Sequence, residues 1–318
     1  MPGSTAPLNY LQSSGPHADP VTALTWGLLI ISVAVVVIVT VLVAAGVIAR
    51  RAPRGADAPV REGPNADAWF YVGLTLTVIA LAVSAIWTFQ VLAAVNSPAA
   101  KPALTIQVVG HQWWWEVRYV GAAPGEGFAT ANEIHLPVGQ PVLVELTGAD
   151  VIHSFWIPAL AGKTDTIPGR TNLTWLQADH AGVYRGQCTE YCGAQHAHMA
   201  VYAVADPPAV FEAWRQTELA PAAAPATPPA IAGQQVFEAH CSACHAVRGT
   251  PADGIVGPDL THLMSRQTLA AGALPNREGS LAGWISNPQA IKPDAQMPAT
   301  NLSGPELNAV VAYLETLK

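Results

Sequence analysis

The sequence predicts a multidomain membrane protein with a two-helix transmembrane hairpin, an all-β domain and an all-α domain. Its 318 residues are 51% hydrophobic and only 12% charged, which is too apolar for a purely soluble protein. Two long uncharged stretches lie near the N-terminus. The remainder divides at a proline-rich segment into a part with short β-type runs and a part with helical periodicity.

Residues 24–49 and 68–95 are the two predicted transmembrane helices, because neither stretch contains a charged residue. At about 1.5 Å per residue, the first would span roughly 39 Å as a helix, against a hydrocarbon core of about 30 Å. Aromatic residues lie near both ends of the second stretch, as interfacial belts do: Trp69, Phe70, Tyr71, Trp87 and Phe89. The chain is therefore expected to cross the membrane twice.

Basic residues predict the orientation of this hairpin. The intervening loop, residues 50–67, contains four arginines, whereas the N-terminal segment, residues 1–23, contains neither Lys nor Arg. Because positive loops remain in the cytoplasm, both termini are expected on the outer, periplasmic side. No basic region precedes the first apolar run, so we expect no cleavable signal peptide. The net charge of −7 disfavours nucleic acid as a partner.

Residues 99–219 are predicted to form a small β-sandwich or barrel. Short β-branched or aromatic runs, bounded by Gly, Pro and Asp turns, occupy residues 104–119, 132–136, 141–147, 151–157, 171–178 and 199–205. Residues 220–230 follow with four prolines and no apolar periodicity. This composition predicts an extended spacer of roughly 34 Å at about 3.1 Å per residue.

Residues 231–318 are predicted to be helical. Ser303-Gly-Pro-Glu306 has the form of a capping box. Apolar residues then recur at i, i+3, i+4 and i+7, as in an amphipathic helix: Leu307, Val310, Val311 and Leu314.

One stretch, GQCTEYCGAQHAHM, concentrates soft metal ligands: Cys188, Cys192, His196 and Met199. With His153 upstream, these residues supply two thiolates, two imidazoles and a thioether, a donor set that suits copper. Two cysteines exceed the need of a single copper, whereas two bridging thiolates can hold a copper pair that shares one electron. A zinc site or a Cys188–Cys192 disulfide is the alternative, and each would leave His153 and Met199 without a role.

A second motif, Cys241-Ser-Ala-Cys244-His245, has the C-x-x-C-H form that attaches a c-type haem covalently. The two cysteines would form thioethers with the haem, and His245 would bind the iron. The distal ligand must lie elsewhere, and a methionine there raises the reduction potential. Met297 is the better candidate because it lies in a Pro-flanked loop, whereas Met264 is typical of a core position.

The strings GQCTEYCGAQHAHM, VIHSFWIPALAGKTDTIPGR and GHQWWWEVRY together resemble subunit II of the haem-copper cytochrome c oxidases over roughly residues 20–215. The resemblance implies a cupredoxin fold for residues 99–219 and a dinuclear copper centre, CuA. The implied ligands are His153, Cys188, the backbone carbonyl of Glu190, Cys192, His196 and Met199.

The same resemblance implies two further roles. The Glu190 side chain would reach a Mg²⁺ or Mn²⁺ at the boundary with subunit I. Trp113, the first of three consecutive tryptophans, would be the point at which electrons enter, although core packing alone is the other interpretation. VGPDLTHL and WISNPQAIKPDAQMP resemble the class I cytochrome c domains that are fused to some bacterial oxidase subunits II.

The resemblance implies an electron relay in the bacterial inner membrane. An external donor, such as a cytochrome c or an upstream reductase complex, would reduce haem c, which would reduce CuA. Electrons would then reach subunit I, where O₂ is reduced to water. The expected partners are oxidase subunits I and III and membrane lipids. The alternatives are a quinol oxidase subunit II, which lacks copper ligands, and a membrane-anchored copper and haem carrier or redox sensor without an oxidase.

Overall fold

The computed structural model describes residues 8–49, 65–102, 104–121 and 125–318 of the chain. The chain divides into two units, one of residues 19–96 and one that joins the preceding residues to residues 97–318. The four predicted loop arginines, Arg50, Arg51, Arg54 and Arg61, lie outside the described residues. The predicted fold class is confirmed, since two apolar helices, a sheet-rich domain and a helical domain follow one another.

The first unit contains α1, Asp19–Ala49, and α2, Ala66–Val95. Both are long and apolar enough to cross a membrane. Helix α1 begins before the predicted residue 24, with Asp19 in its first turn, where a carboxylate interacts favourably with the helix dipole. A Cβ atom on Gly27 would lie 2.3 Å from the Trp87 ring, so the missing side chain permits the contact between the helices.

The β domain is built from two main sheets and a short ribbon. Its strands are β1 Leu104–His111, β2 Trp114–Tyr119, β3 Phe128–Ala131, β4 Glu133–Pro137, β5 Val142–Gly148, β6 His153–Phe155, β7 Thr164–Thr166, β8 Asn172–Leu176, β9 Gly182–Gln187 and β10 Ala200–Asp206. One sheet has the order β3-β2-β1-β5-β8, the other has the order β4-β10-β9, and β6 pairs with β7.

Alternation along these strands explains the core of the β domain. In β5, for example, Val142, Val144 and Leu146 are fully buried while the residues between them are partly exposed. Each such side chain contributes about 1.5–3 kcal/mol when fully buried. The predicted run 104–119 is two strands, because the chain reverses between His111 and Trp114, which pair directly. Helix α3, Pro208–Leu219, follows the last strand.

The residues before α1 pack on this β domain. His17 stacks on Trp175 with ring centroids 4.4 Å apart, and its Nδ1 donates to the Trp175 carbonyl at 2.7 Å. Ser14 N donates to the Ala159 carbonyl at 2.7 Å. The segment that leads into α1 is therefore anchored to the β domain.

The helical domain contains α4 Pro228–His240, α5 Glu278–Ser286, α6 Pro288–Ile291, α7 Gly304–Leu314 and a hairpin of β11 Thr268–Leu269 with β12 Leu274–Pro275. The predicted capping box is confirmed, since Ser303 and Glu306 exchange hydrogen bonds at the start of α7. Helices α4 and α7 cross at Gly233, where a Cβ atom would lie 1.8 Å from the Ala309 carbonyl oxygen. Glycine permits this close approach of two backbones.

The predicted extended spacer over residues 220–230 is wrong in two respects. Helix α4 already begins at Pro228, because proline suits the first helical turn, where its missing N–H has no partner to lose. The preceding residues are packed on the helical domain. Ala222 N donates to the Arg248 carbonyl at 2.9 Å, and the Ala220 carbonyl accepts from His262 Nε2 at 3.0 Å.

The helical domain and the β domain belong to one unit and share hydrogen bonds across their boundary. Gln267 N donates to a carboxylate oxygen of Glu133 at 3.0 Å, and Ala200 N donates to the Ala271 carbonyl at 3.0 Å. These bonds place the β11–β12 hairpin against the start of β10.

Candidate metal and haem sites

Residues 188–199 connect β9 to β10 and form the loop that we call the copper loop. Its two ends are joined, because Cys188 N donates to the Met199 carbonyl at 3.0 Å. Thr189 N donates to the Ser154 carbonyl at 3.0 Å, which holds β6 beside the loop. The pairing of strands far apart in sequence therefore brings His153, at the start of β6, to the cysteines.

Five predicted donors lie together in this place. The sulfurs of Cys188 and Cys192 are 3.7 Å apart. His153 Nδ1 lies 4.0 Å from Cys188 Sγ, and His196 Nδ1 lies 3.6 Å from Cys192 Sγ. Met199 Sδ lies 3.9 Å from Cys192 Sγ. Except for the half-buried His196, these residues are buried, so the ligand set is withdrawn from water.

Both thiols are free. Their separation is well beyond the S–S bond length of about 2.05 Å, so they face one another as two thiols. A hydrogen bond from Cys192 lowers the pKa of Cys188 to about 4, and the same pairing raises the pKa of Cys192. The thiolate form is the one that binds a metal. The donor set therefore fits two soft metal ions better than one, with each sulfur beside a different imidazole.

Asp150 holds His153 in this orientation. One of its carboxylate oxygens accepts from His153 Nε2 at 2.9 Å, while the other accepts from the backbone N–H of Gln112 at 2.6 Å. Burial opposes ionisation of Asp150, but the hydrogen bonds from His153, Val151 and Gln112 lower its pKa. Because Nε2 carries the proton given to Asp150, Nδ1 keeps its lone pair toward the sulfurs.

The three consecutive tryptophans have different environments. Trp113 is 7% exposed, and its indole N–H donates to the Cys192 carbonyl at 3.0 Å. Trp114 stacks on His111 with ring centroids 4.4 Å apart. Trp115 is fully buried in the core, edge-on to His153 at 5.9 Å. Trp113 alone of the three therefore bonds to a cysteine of the copper loop.

Glu190 and His198 also lie in the copper loop. The Glu190 carbonyl lies 3.3 Å from Cys188 Sγ, while its side chain is exposed. His198 Nδ1 pairs with the Gln195 side chain at 2.8 Å, and the His198 ring is exposed. The distances thus separate His196, which faces a sulfur, from His198, which does not.

The haem motif follows directly after α4. Cys241 caps the helix, and His245 N donates to the Cys241 carbonyl at 3.0 Å, so the motif forms one tight turn. His245 Nδ1 donates to the Pro258 carbonyl at 2.8 Å, which leaves Nε2 with its lone pair. Burial lowers the pKa of His245 and favours the neutral ring that a metal binds.

A cavity of about 220 Å³ opens beside this turn. Both motif cysteines, His245 and Met297 line it. Met264 instead packs on the apolar core of the helical domain. The Gln289 side chain donates to the carbonyls of Ala295 and Met297, at 2.7 and 2.9 Å, and thereby fixes the loop that carries Met297.

Arg266 is a further wall residue of this cavity. It is 8% exposed, and one of its terminal nitrogens donates to the Asp259 carbonyl. Within the described part of the chain, its Nε atom has no hydrogen-bond partner. A buried guanidinium with a free donor suits a carboxylate, and a haem carries two propionates. The lining and this free donor fit a haem.

The β domain completes the cavity wall. Gln112 and Trp113 of the β1–β2 turn and Trp114 at the start of β2 line it together with Lys292 of the helical domain. Gln112 Nε2 also donates to the Cys192 carbonyl, at 2.7 Å. The same short turn thus borders the candidate haem cavity on one side and holds the copper loop on the other.

Sequence reasoning missed four residues of these sites: Gln112, Asp150, Arg266 and Lys292. Gln112 lies within the string GHQWWWEVRY, and Asp150 directly precedes the string VIHSFWIPALAGKTDTIPGR, so proximity to Trp113 and to His153 was the available signal. Lys292 lies within the quoted string WISNPQAIKPDAQMP, but its hydrogen bond is with a residue 179 positions away. No local pattern reports a pairing of that kind.

Two family models and several known proteins are similar to this chain. A family model described as cytochrome c oxidase subunit II, periplasmic domain, matches residues 125–205, and a model described as cytochrome c matches residues 230–318. Cytochrome c oxidase subunit 2 of Alkalihalophilus pseudofirmus is 35% identical over 322 residues, covering 98% of this chain and 91% of the relative. The corresponding subunit of Bacillus sp. strain PS3 is 31% identical, covering 79% of this chain and 73% of the relative.

A solved structure is also similar in sequence. The periplasmic domain of subunit II of the cytochrome oxidase of Bradyrhizobium japonicum is 35% identical, with a TM-score of 0.35. The match covers 38% of this chain and 96% of that structure.

Proposed function

Because the chain belongs to the cytochrome c oxidase subunit II family, we propose that it is the subunit through which electrons enter a membrane-bound terminal oxidase. One observation carries the proposal. Trp113 lines the candidate haem cavity and donates from its indole to the Cys192 carbonyl, so a single side chain borders both candidate redox sites.

The copper loop would hold the CuA centre. Cys188 and Cys192 would hold the copper ions through their sulfurs, with His153 beside the first sulfur and His196 beside the second. The Met199 thioether and the Glu190 carbonyl would supply the weaker donors. The distances of 3.3–4.0 Å between these atoms support the assignment.

The cavity of the helical domain would hold haem c. Cys241 and Cys244 would form the thioethers, His245 would offer its Nε2, and Met297 would offer its sulfur from the loop that Gln289 fixes. Arg266 would give its free donor to a propionate. A methionine–histidine ligand pair favours a high reduction potential.

When bound, the haem and the copper pair supply one-electron redox chemistry, which would carry electrons from an external donor to subunit I, where O₂ is reduced to water. The chain's own residues supply positioning. Asp150 orients His153, and Gln112 and Trp113 both hold the Cys192 carbonyl. These fixed contacts favour a small structural change when the charge of the site changes.

The membrane orientation that we propose places both termini on the periplasmic side of the bacterial inner membrane. The residues before α1 pack on the β domain, and the chain that leaves α2 enters the same domain. This arrangement supports a location of both ends of the helix pair on the same side of the membrane. The exposed apolar helices would face lipid and oxidase subunits I and III.

A Mg²⁺ or Mn²⁺ at the boundary with subunit I is part of the proposal. The Glu190 carbonyl faces the sulfurs while the side chain is exposed, so one residue can serve the copper pair and an external cation. The external donor, a cytochrome c or a reductase complex, would deliver its electrons to the haem domain.

Electron paramagnetic resonance on the purified full-length chain, loaded with copper and kept in its oxidised state, tests the copper assignment. We expect the hyperfine pattern of one electron shared equally by two copper nuclei, and we expect Cys192→Ser to abolish it. A pattern from a single copper nucleus would refute the relay.

Purification in mild detergent tests the assembly. We expect a large partner subunit with non-covalent haem to accompany the chain. Repeated purification of the chain by itself would favour the membrane-anchored carrier or sensor.

A further inference from the structure

Lys292 is buried at the boundary between the helical domain and the β domain. It directly follows α6 and is 3% exposed. Its ammonium donates to the Trp113 carbonyl at 2.6 Å and to the Ala270 carbonyl at 3.1 Å. Burial lowers the pKa of Lys292 to about 7. Lysine is rarely buried because its charge must leave water, so these two carbonyls replace part of its hydration.

The two acceptors belong to different domains. Trp113 lies in the β1–β2 turn, whereas Ala270 lies in the β11–β12 turn of the helical domain. In the latter turn Ala271 accepts from Ala200 N at 3.0 Å, directly after Met199. The helical domain is therefore hydrogen-bonded to the β domain through Lys292 and beside a predicted copper ligand, in addition to the bond between Gln267 and Glu133.

Lys292 also belongs to the loop that carries Met297. The Gln289 side chain spans this loop, since it donates to the carbonyls of Ala295 and Met297 and accepts from Asp294 N at 3.0 Å. A displacement of Lys292 would therefore be transmitted to Met297 through a segment that is already internally bonded.

A continuous connection results between the two candidate redox sites. It runs from the Met297 loop through Lys292 to the Trp113 carbonyl, and from the Trp113 indole to the Cys192 carbonyl. Trp113 is buried beneath the helical domain, so a protein in solution has no access to its ring.

We propose that Lys292 is a positioning residue that fixes the helical domain on the β domain through Trp113. In this role it restricts Trp113 to electrons that arrive from the haem of the helical domain. The proposal rests on the proposed function. Lys292 itself takes no part in the redox chemistry, and its effect is on the distance and orientation between the two sites.

The test uses the full-length chain with copper and haem bound. An electron is injected photochemically into the haem, and the reduction of the copper centre is followed by its absorption. Lys292→Leu removes both hydrogen bonds and the charge, and Lys292→Gln retains an N–H donor. Lys318→Gln is the matched control, because it removes a charge from an exposed side chain of the same domain.

We expect Lys292→Leu to slow the transfer by up to about tenfold, since the loss of a hydrogen bond to a charged group lowers the docking equilibrium constant of the helical domain on the β domain by about that factor or more. Lys292→Gln should recover part of the rate, and Lys318→Gln should leave it unchanged. Hydrogen exchange should become faster at the backbone around Trp113 and Ala271 in Lys292→Leu.

The haem absorption, the methionine–iron charge-transfer band and the copper resonance must stay native in the variants. A native-spectrum Lys292→Leu with an unchanged transfer rate would overturn the proposal. If Lys292→Leu perturbs these spectra, Lys292→Gln is used in its place. An unchanged transfer rate and unchanged hydrogen exchange in Lys292→Gln would then overturn the proposal. Absence of transfer in the unmodified chain would instead refute the proposed function.

Discussion

Asp150→Asn provides a sharp test of how the copper loop obtains its affinity. The carboxylate accepts from His153 Nε2, from the Val151 N–H and from the Gln112 N–H, at 2.9, 2.6 and 2.6 Å. An asparagine keeps one carbonyl oxygen but turns an NH₂ group toward a donor. The substitution preserves the volume of the side chain while it removes one of the two oxygens that accept these hydrogen bonds.

The magnitude follows from the hydrogen bonds that the substitution removes. At least one charge-assisted hydrogen bond disappears, and such a bond contributes about 1.5–3 kcal/mol. His153 is then free to rotate, so its Nδ1 is no longer held toward Cys188. We expect copper affinity to fall by about 10- to 100-fold, the range typical for residues that orient metal ligands.

Competition with a copper chelator, followed by the copper–thiolate absorption of the full-length chain, measures this affinity. Asp179→Asn is the control, because the Asp179 side chain is exposed and lies outside the copper loop. An Asp150→Asn protein with unchanged copper affinity would show that His153 is oriented by packing alone. An equal loss in Asp179→Asn would show that net charge, rather than orientation, is responsible.

Three further predictions concern the haem domain and the β domain. Gly233→Ala should destabilise the helical domain by about 1–3 kcal/mol in thermal unfolding, because its Cβ would meet a backbone carbonyl of α7 at 1.8 Å. Gly283 also lies in a helix, but a Cβ atom there would have no atom within 4 Å, so Gly283→Ala should stabilise the helical domain by about 0.5–1 kcal/mol. Equal effects of the two substitutions on unfolding would contradict the packing at Gly233. Met297→Ala should remove the methionine–iron band and lower the haem potential in a redox titration, and retention of both would exclude Met297 as a ligand. Burial lowers the pKa of His135, but its pairs with Asp206 and Glu133 raise that pKa overall. The contribution of charged His135 to the stability of the fold is therefore complete below pH 6.5 and is lost as pH rises through the folded-state pKa. Thermal unfolding against pH should show this loss, Asp206→Asn should flatten it, and an identical pH profile in that variant would contradict the pairing.

The sequence predicts the proximity of the donors in the copper loop well because these donors are local in sequence. Cys188 and Cys192 are four positions apart, and a hairpin loop is enough to bring them together. His153 lies near the cysteines only because β6 is held beside the copper loop, and the spacing of residues in the sequence does not predict that contact. Asp150 was missed for a related reason, since its hydrogen bond with Gln112 joins residues 38 positions apart.

The misassigned spacer shows the limit of composition as a predictor. Proline is typical both of extended linkers and of first helical turns, and composition alone does not distinguish the two. Pro228 and Pro229 serve the second purpose here, because the apolar face of α4 finds a partner in α7. That partner lies near the end of the chain, beyond the reach of any local pattern.

The hydrogen bonds between the helical domain and the β domain change the role of residues 220–227, which connect the two domains. A free tether would raise the local concentration of the haem domain to the millimolar range, and transfer would then depend on random encounters. Glu133 argues for a fixed arrangement, since one of its oxygens pairs with His135 within the β domain and the other accepts from Gln267 N of the helical domain. Separation of the domains would replace this hydrogen bond to a charged group with one to water, and such a bond contributes about 1.5–3 kcal/mol to stability. The relation between the two candidate redox sites is therefore determined by packing at the boundary, while the peptide connection serves mainly to ensure that the correct domain is the one that docks.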